Sequence, residues 1–190
     1  MYFEVSPAIN QATILNRLFS LKNLILQNQV ALMKRKTKIL IWTMIFLILI
    51  QFIKPGGNHG NALGRNDFTH EIQVPDSIMK ILKNSCFDCH SNHTNYPWYA
   101  HTNPVYWWLN HHITEGKREL NFTEFANYTL KQKDKKLAEI AEQVEEYEMP
   151  LPSYTLVHTD AKLTDQQIKA LVTWAKTSKG KIGYKRIKVW

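Results

Sequence analysis

Two cysteines are all that 190 residues hold, and they stand three positions apart, at Cys86 and Cys89. A fold stapled by disulfides spreads an even set of cysteines along its length. A pair this close staples nothing distant, which points to chemistry rather than bracing. Acidic residues are scarce at both ends: residues 1–53 carry six Lys/Arg against one acid, and 176–190 carry six against none. Residues 54–175 hold twelve Lys/Arg and fifteen acids, so the formal charge of +8 sits on the ends of the chain and the body is mildly acidic. A domain that grips phosphates needs its positive charge on the body itself, and this distribution argues against nucleic-acid binding. Apolar and polar residues nowhere alternate as in a half-buried strand, and no segment repeats. The expected class is all-α.

One long apolar run is present. Residues 39–53 contain no charge, Lys34, Arg35, Lys36 and Lys38 precede them, and Lys54-Pro55-Gly56-Gly57 follows. A basic flank leading into an apolar run is the pattern of a signal peptide or signal-anchor, with its basic end kept in the cytoplasm. Fifteen residues is short for a span that usually takes roughly 20. No small-x-small cleavage triplet stands close behind the run; Ala62-Leu63-Gly64 is the nearest. The expectation is an uncleaved anchor over 33–53, with the domain on the periplasmic side of an inner membrane, or free in the periplasm if cleavage occurs. Met33 stands just before the basic cluster, as a start would. Residues 1–32 are then either an extension of doubtful standing or an amphipathic helix around 14–30.

Residues 54–73, rich in Gly and Asn, read as a linker. Pro75 opens a helix whose apolar stripe is Ile78, Met79, Ile81 and Leu82, running into Cys86. Asn103-Pro104 starts a second helix, to about Gly116. Leu137, Ile140, Ala141, Val144 and Tyr147 give a helical period over 135–148, ended by Pro150 and Pro152. Thr164-Asp165-Gln166-Gln167 forms a capping box before a terminal helix carrying Leu171, Val172 and Trp174. The expected domain covers 74–178, followed by a basic tail over 179–190.

Cys86-Phe87-Asp88-Cys89-His90 has the C-x-x-C-H spacing of covalent haem attachment. Cysteines three apart lie on one side of a helical turn, where both sulfurs reach the vinyl-derived carbons on one porphyrin edge. His90, next in line, brings its imidazole to the iron as proximal ligand. Such attachment occurs outside the cytoplasm, in agreement with the export segment. A redox C-x-x-C would want a βαβ context, which is missing, and a zinc site would need a second ligand pair at a spacing that His93 and His101 do not match.

The occupant of the sixth iron position separates electron transfer from ligand chemistry. Met79 lies on an apolar stripe and reads as core, whereas Met149 stands in Glu148-Met149-Pro150-Leu151-Pro152, just past a helix end and stiffened by proline. Met149 is the expected distal ligand, with His111, His112 and His158 as alternatives. Trp98, Trp107 and Trp108 stand around the motif and are expected beside the porphyrin, where indole N–H groups could meet a propionate or a carbonyl.

These residues resemble the small bacterial haem-binding domain proteins related to cytochrome c. The resemblance covers about 74–178 and rests on Cys-Phe-Asp-Cys-His-Ser-Asn (86–92), Tyr-Pro-Trp-Tyr (96–99), Pro-Val-Tyr-Trp-Trp-Leu (104–109), Glu-Gly-Lys-Arg-Glu-Leu-Asn-Phe (115–122) and Glu-Met-Pro-Leu-Pro-Ser-Tyr (148–154). It implies a cytochrome c-like helical fold around a single c-type haem, and export; it implies no substrate. Together the residues and the resemblance point to a membrane-tethered monohaem electron carrier serving an unidentified redox partner protein. The alternative is a five-coordinate or bis-histidine haem acting as a peroxidase or as a gas or redox sensor, and a structural zinc or thiol module comes third.

Overall fold

A computed structural model describes residues 11–182, and the chain divides into two units, 1–53 and 54–190. The first unit is a single helix, α1 (Gln11–Ile50), which contains both the basic cluster and the start of the apolar run. Its described side chains up to Leu49 are exposed, so residues 14–30 show no buried face of their own. Among the described residues no helix is long and apolar enough to cross a membrane. The expected spanning segment thus has no support from the helix that carries it. The helix stops at Ile50 and leaves only 39–50 uncharged within it, roughly 18 Å at 1.5 Å per residue, where the hydrocarbon core of a bilayer is about 30 Å thick.

The second unit is all-helical; among the described residues its only extended pairing is an isolated bridge between His59 and His93. Residues 54–73 are not a linker. Phe68, in a short 3₁₀ turn (Phe68–His70), has no exposed surface. Its ring meets Phe122 at 4.9 Å, Phe87 at 6.1 Å and Trp174 at 6.3 Å. Burying so large a ring contributes roughly 2 kcal/mol or more, which draws the Gly- and Asn-rich stretch onto the body. Ala62 is held there too, its carbonyl accepting from the Thr123 hydroxyl at 2.7 Å.

Helix α2 (Asp76–Ser85) buries Ile78, Ile81 and Leu82 on one stripe, and Asp76 complements the positive end of its dipole. A one-turn helix, α3 (Phe87–His90), follows at once. Helix α4 (Val105–Glu119) begins after Pro104 and runs through Gly116, three residues beyond the expected end. Helix α5 (Leu130–Glu145) starts earlier than the apolar period suggested, because Thr129 and Gln132 form a capping box. It ends where Tyr147 takes a left-handed backbone, φ 60°. The Glu148 and Met149 amides both donate to the Gln143 carbonyl there, at 2.9 and 3.0 Å, a return that satisfies a helix-end acceptor. A short helix α6 (Pro152–Thr155) leads to α7 (Asp165–Lys181), capped by Thr164 and Gln167 as its sequence indicates. Helices α5 and α7 form the most extensive pairing. Lys179 and Lys181 belong to α7 rather than to a tail, and residues 183–190 lie outside the described residues.

Candidate functional site

The C-x-x-C-H segment is shaped by a break between two helices. The Cys86 amide still donates to Leu82 in α2, but its backbone (φ −127°) leaves helical geometry, and Cys89 and His90 then donate back to the Cys86 carbonyl at 3.2 and 2.9 Å. The single turn of α3 results. It places Cys86, Cys89 and His90 together on the wall of a cavity of about 590 Å³, within the ~300–1,000 Å³ of small-molecule and cofactor sites. Both cysteines are free. Burial pushes the Cys86 thiol up to about 12, helped by Cys89, and the Cys89 thiol up to about 11, helped by the Asp88 carboxylate. At neutral pH both sulfurs are protonated.

His90 is fixed by α4. Its Nδ1–H donates to the carbonyls of Gly116 at 2.9 Å and Leu120 at 3.0 Å, both at the C-terminal end of that helix. The Gly116 carbonyl also accepts from the Leu120 amide at 2.9 Å, so His90 takes its second lone pair, while the Leu120 carbonyl lies past the helix end. The proton therefore resides on Nδ1 and the lone pair on Nε2. Burial lowers the His90 pKa, the two carbonyls oppose it, and the Lys136 ammonium lowers it further. A neutral imidazole whose second nitrogen is tied to backbone carbonyls is the usual state of a metal-ligating histidine.

Glycine at 116 is what lets α4 come this close. A Cβ there would stand 2.8 Å from the Cys89 carbonyl oxygen. Gly116, Leu120, Lys136, Asp88 and Tyr154 were given no site role from the sequence, although all five line the cavity. Gly116 did carry a signal, a lone glycine within a helical pattern, but it reads equally well as a terminator.

Of the other expected residues, Met149 lines the same cavity as the cysteines and His90, together with Pro150 and Leu151. His111 and His112 line it as well, and His112 is oriented by a 2.9 Å bond from Nδ1–H to the Trp108 carbonyl. His158 does not line it; its Nε2 meets the Tyr99 hydroxyl at 2.8 Å, and its ring stacks on Tyr154 at 4.4 Å. Trp98, Trp107 and Trp108 do not line this cavity. Trp107 and Trp108 stand one turn before His111 and His112 on the same side of α4, and the Trp108 ring packs 4.3 Å from that of His112, which itself lines the cavity. Trp98 is 86% exposed.

Haem fits this donor set. Leu82, Leu120, Phe122, Ile140, Val144, Leu163 and Leu171 supply apolar wall beside the thiols and the imidazole, with further polar groups such as His111, His112, Tyr154, Lys136 and Glu139 around them. Among the described residues no three His, Cys, Asp or Glu side chains converge on a bare metal ion. The wall therefore suits a metal that brings its own equatorial ligands better than it suits a zinc site. A family model described as a haem-binding domain matches residues 45–177. No curated protein and no solved structure matches the chain.

Proposed function

The chain belongs to the haem-binding domain family and is a haem-binding protein; on that premise we propose that it carries one covalently attached haem and passes single electrons. Cys86 and Cys89 would hold the two vinyl-derived positions as thioethers, His90 the proximal face of the iron through Nε2, and Met149 the distal face. Bound in this way, the group supplies a one-electron iron couple. The observation that carries the proposal is the locking of His90: its Nδ1–H is committed to two carbonyls while two thiols share its wall and Met149 lies on the same cavity.

The chain's own residues suit a carrier. His90 keeps an uncharged nitrogen available, because its proton is held at Nδ1 and burial disfavours a second. Leu82, Ile140, Val144 and Leu171 would present apolar surface to the bound group. A thioether opposite an imidazole raises the potential relative to two histidines, which makes this a comparatively oxidising centre serving a protein redox partner. The basic cluster followed by the apolar part of α1 serves as an export signal, since signal cores need only about 7–15 apolar residues. The haem domain then works on the non-cytoplasmic side, where attachment takes place.

His111 and His112 on the same wall support the second reading, in which a histidine ligates the iron or assists peroxide or gas chemistry at an open position. One experiment separates these. The full chain is made in a host with haem-attachment machinery, and its spectra are compared with those of Met149→Ala and of Cys86→Ser/Cys89→Ser. The proposal expects haem that survives denaturing electrophoresis in all but the double cysteine variant. It also expects a weak far-red sulfur-to-iron band in the oxidised protein that vanishes in Met149→Ala. Carbon monoxide binding to the unaltered reduced protein, with no such band, would transfer the assignment to the ligand-binding reading. Haem that dissociates on denaturation would remove covalent attachment.

A further inference from the structure

The loop that carries Met149 is fastened at both ends, and the second fastening reaches the attachment motif itself. At its start the Glu148 and Met149 amides are tied to Gln143 of α5. At its far end the Tyr154 hydroxyl donates to Asp88 Oδ2 at 2.8 Å, across 66 positions of chain. Asp88 stands between the two cysteines. Its other oxygen, Oδ1, accepts from the Asn95 amide at 3.0 Å and from the Asn95 side chain at 3.3 Å, so the carboxylate is held from both sides. Asp88 and Tyr154 line the same cavity as Met149 and His90.

We infer that the Tyr154–Asp88 bond is a latch that holds the Met149 loop against the C-x-x-C-H turn and so keeps the methionine sulfur in place at the distal position. The inference rests on the reading of Met149 as the distal ligand and adds the device that keeps it there.

The surroundings suit a fixed latch. The Tyr154 ring is stacked on His158, with 20° between their planes, and His158 is in turn bonded to Tyr99. Ring and hydroxyl are therefore placed by different partners. Burial pushes the Tyr154 phenol far above its usual range, and the neighbouring Asp88 carboxylate adds to this, so the hydroxyl remains a donor through neutral and mildly alkaline pH. A bond between a hydroxyl and a carboxylate is stronger than one between neutral groups. The pinning matters because a thioether is a weak iron ligand. Its advantage over a free competitor is the effective concentration that a restrained loop gives it, and this falls when the loop loses an attachment. Tyr154 is thus a positioning residue, acting through Met149.

The test uses the full-length, haem-loaded, oxidised protein and titrates it with imidazole, a small competitor for the distal position. Tyr154→Phe removes one oxygen and keeps the stacked ring, and Asp88→Asn keeps an acceptor for the Asn95 amide. Measured per haem-loaded molecule, imidazole binding is expected to be about tenfold tighter in Tyr154→Phe than in the unaltered protein, and tighter by less in Asp88→Asn, whose amide can still bond the hydroxyl. The far-red band should also be lost at lower temperature. In the double variant the effect should be no larger than in Tyr154→Phe alone, since Asp88→Asn acts on the same bond by stripping its charge. Unaltered imidazole affinity in Tyr154→Phe, with the band present in the unaltered protein, would overturn the latch and leave Met149 standing. So would effects of the two substitutions that simply add. Absence of the band from the unaltered protein would overturn the Met149 assignment, and the latch with it.

Discussion

Gly116 rests against Cys89 so closely that a methyl group on its α-carbon would stand 2.8 Å from the Cys89 carbonyl oxygen and 3.2 Å from the Cys89 Cβ. The contact joins the last turn of α4 to the attachment turn, and the Gly116 carbonyl is one of the two that orient His90. Replacing a helical glycine with alanine ordinarily stabilises a protein by about 0.5–1 kcal/mol. Here the obstructing atom is backbone and cannot swing aside. Gly116→Ala is expected to destabilise the domain by about 1–3 kcal/mol and to lower its haem content, as α4 withdraws its carbonyls from His90. Denaturant unfolding and the ratio of haem to protein check both effects. A more stable, fully loaded variant would show that the two segments separate freely.

Phe68 tests whether residues 54–73 belong to the body. Its ring has no exposed surface and lies among Phe87, Phe122 and Trp174. Phe68→Ala should cost about 3–5 kcal/mol in equilibrium unfolding. A residue of a linker would change stability by less than about 0.5 kcal/mol.

The carboxylate of Asp67 links this same segment to pH. Burial by itself would raise its pKa, but the Thr69 hydroxyl and the Thr69 and Gly64 amides all donate to it, His70 lies nearby, and the net position is below the ordinary 3.8. The unfolded chain therefore binds this proton more readily than the folded one. The resulting stability is complete above pH ~4 and is lost as pH falls through the lower, folded value. Asp67→Asn should be less stable at neutral pH by about 1–3 kcal/mol, with a flatter loss of stability below pH ~4. Unfolding curves collected from pH 3 to pH 7 would reveal the change, and parallel curves for the two proteins would count against it.

Trp98 is expected to be dispensable to the site. It projects into solvent, 86% exposed, and its ring meets that of Tyr99 edge-to-face at 5.9 Å. Trp98→Ala should shift stability by no more than about 0.5 kcal/mol and leave the haem absorption bands where they were. A displaced Soret band would return this residue to the cofactor's surroundings.

Helix α2 was legible because its apolar residues recur at helical spacing, and α7 because Thr164 and Gln167 announce its start. The start of α5 was less so: its first turn, Leu130 to Lys133, is lysine-rich and carries no apolar period, and only the Thr129–Gln132 cap marks it. An aromatic residue shows that something must be covered, but not by what: Trp108 packs on the His112 ring at 4.3 Å, one turn before the cavity-lining stretch of α4.

What the sequence by itself determined is what can be written within a few consecutive residues. The spacing of Cys86, Cys89 and His90 is completed inside one helical turn, and each capping box closes over three residues. An all-α body follows from periodicities of the same short range. The tertiary structure alone decided which groups meet across distance: the carbonyls 26 and 30 positions beyond His90 that orient its ring, the tyrosine 66 positions beyond Asp88, and the burial of Phe68. Such encounters depend on how close two backbones come and on which face of a helix a side chain leaves. Those are set by the packing of the whole core rather than by any local run of residues.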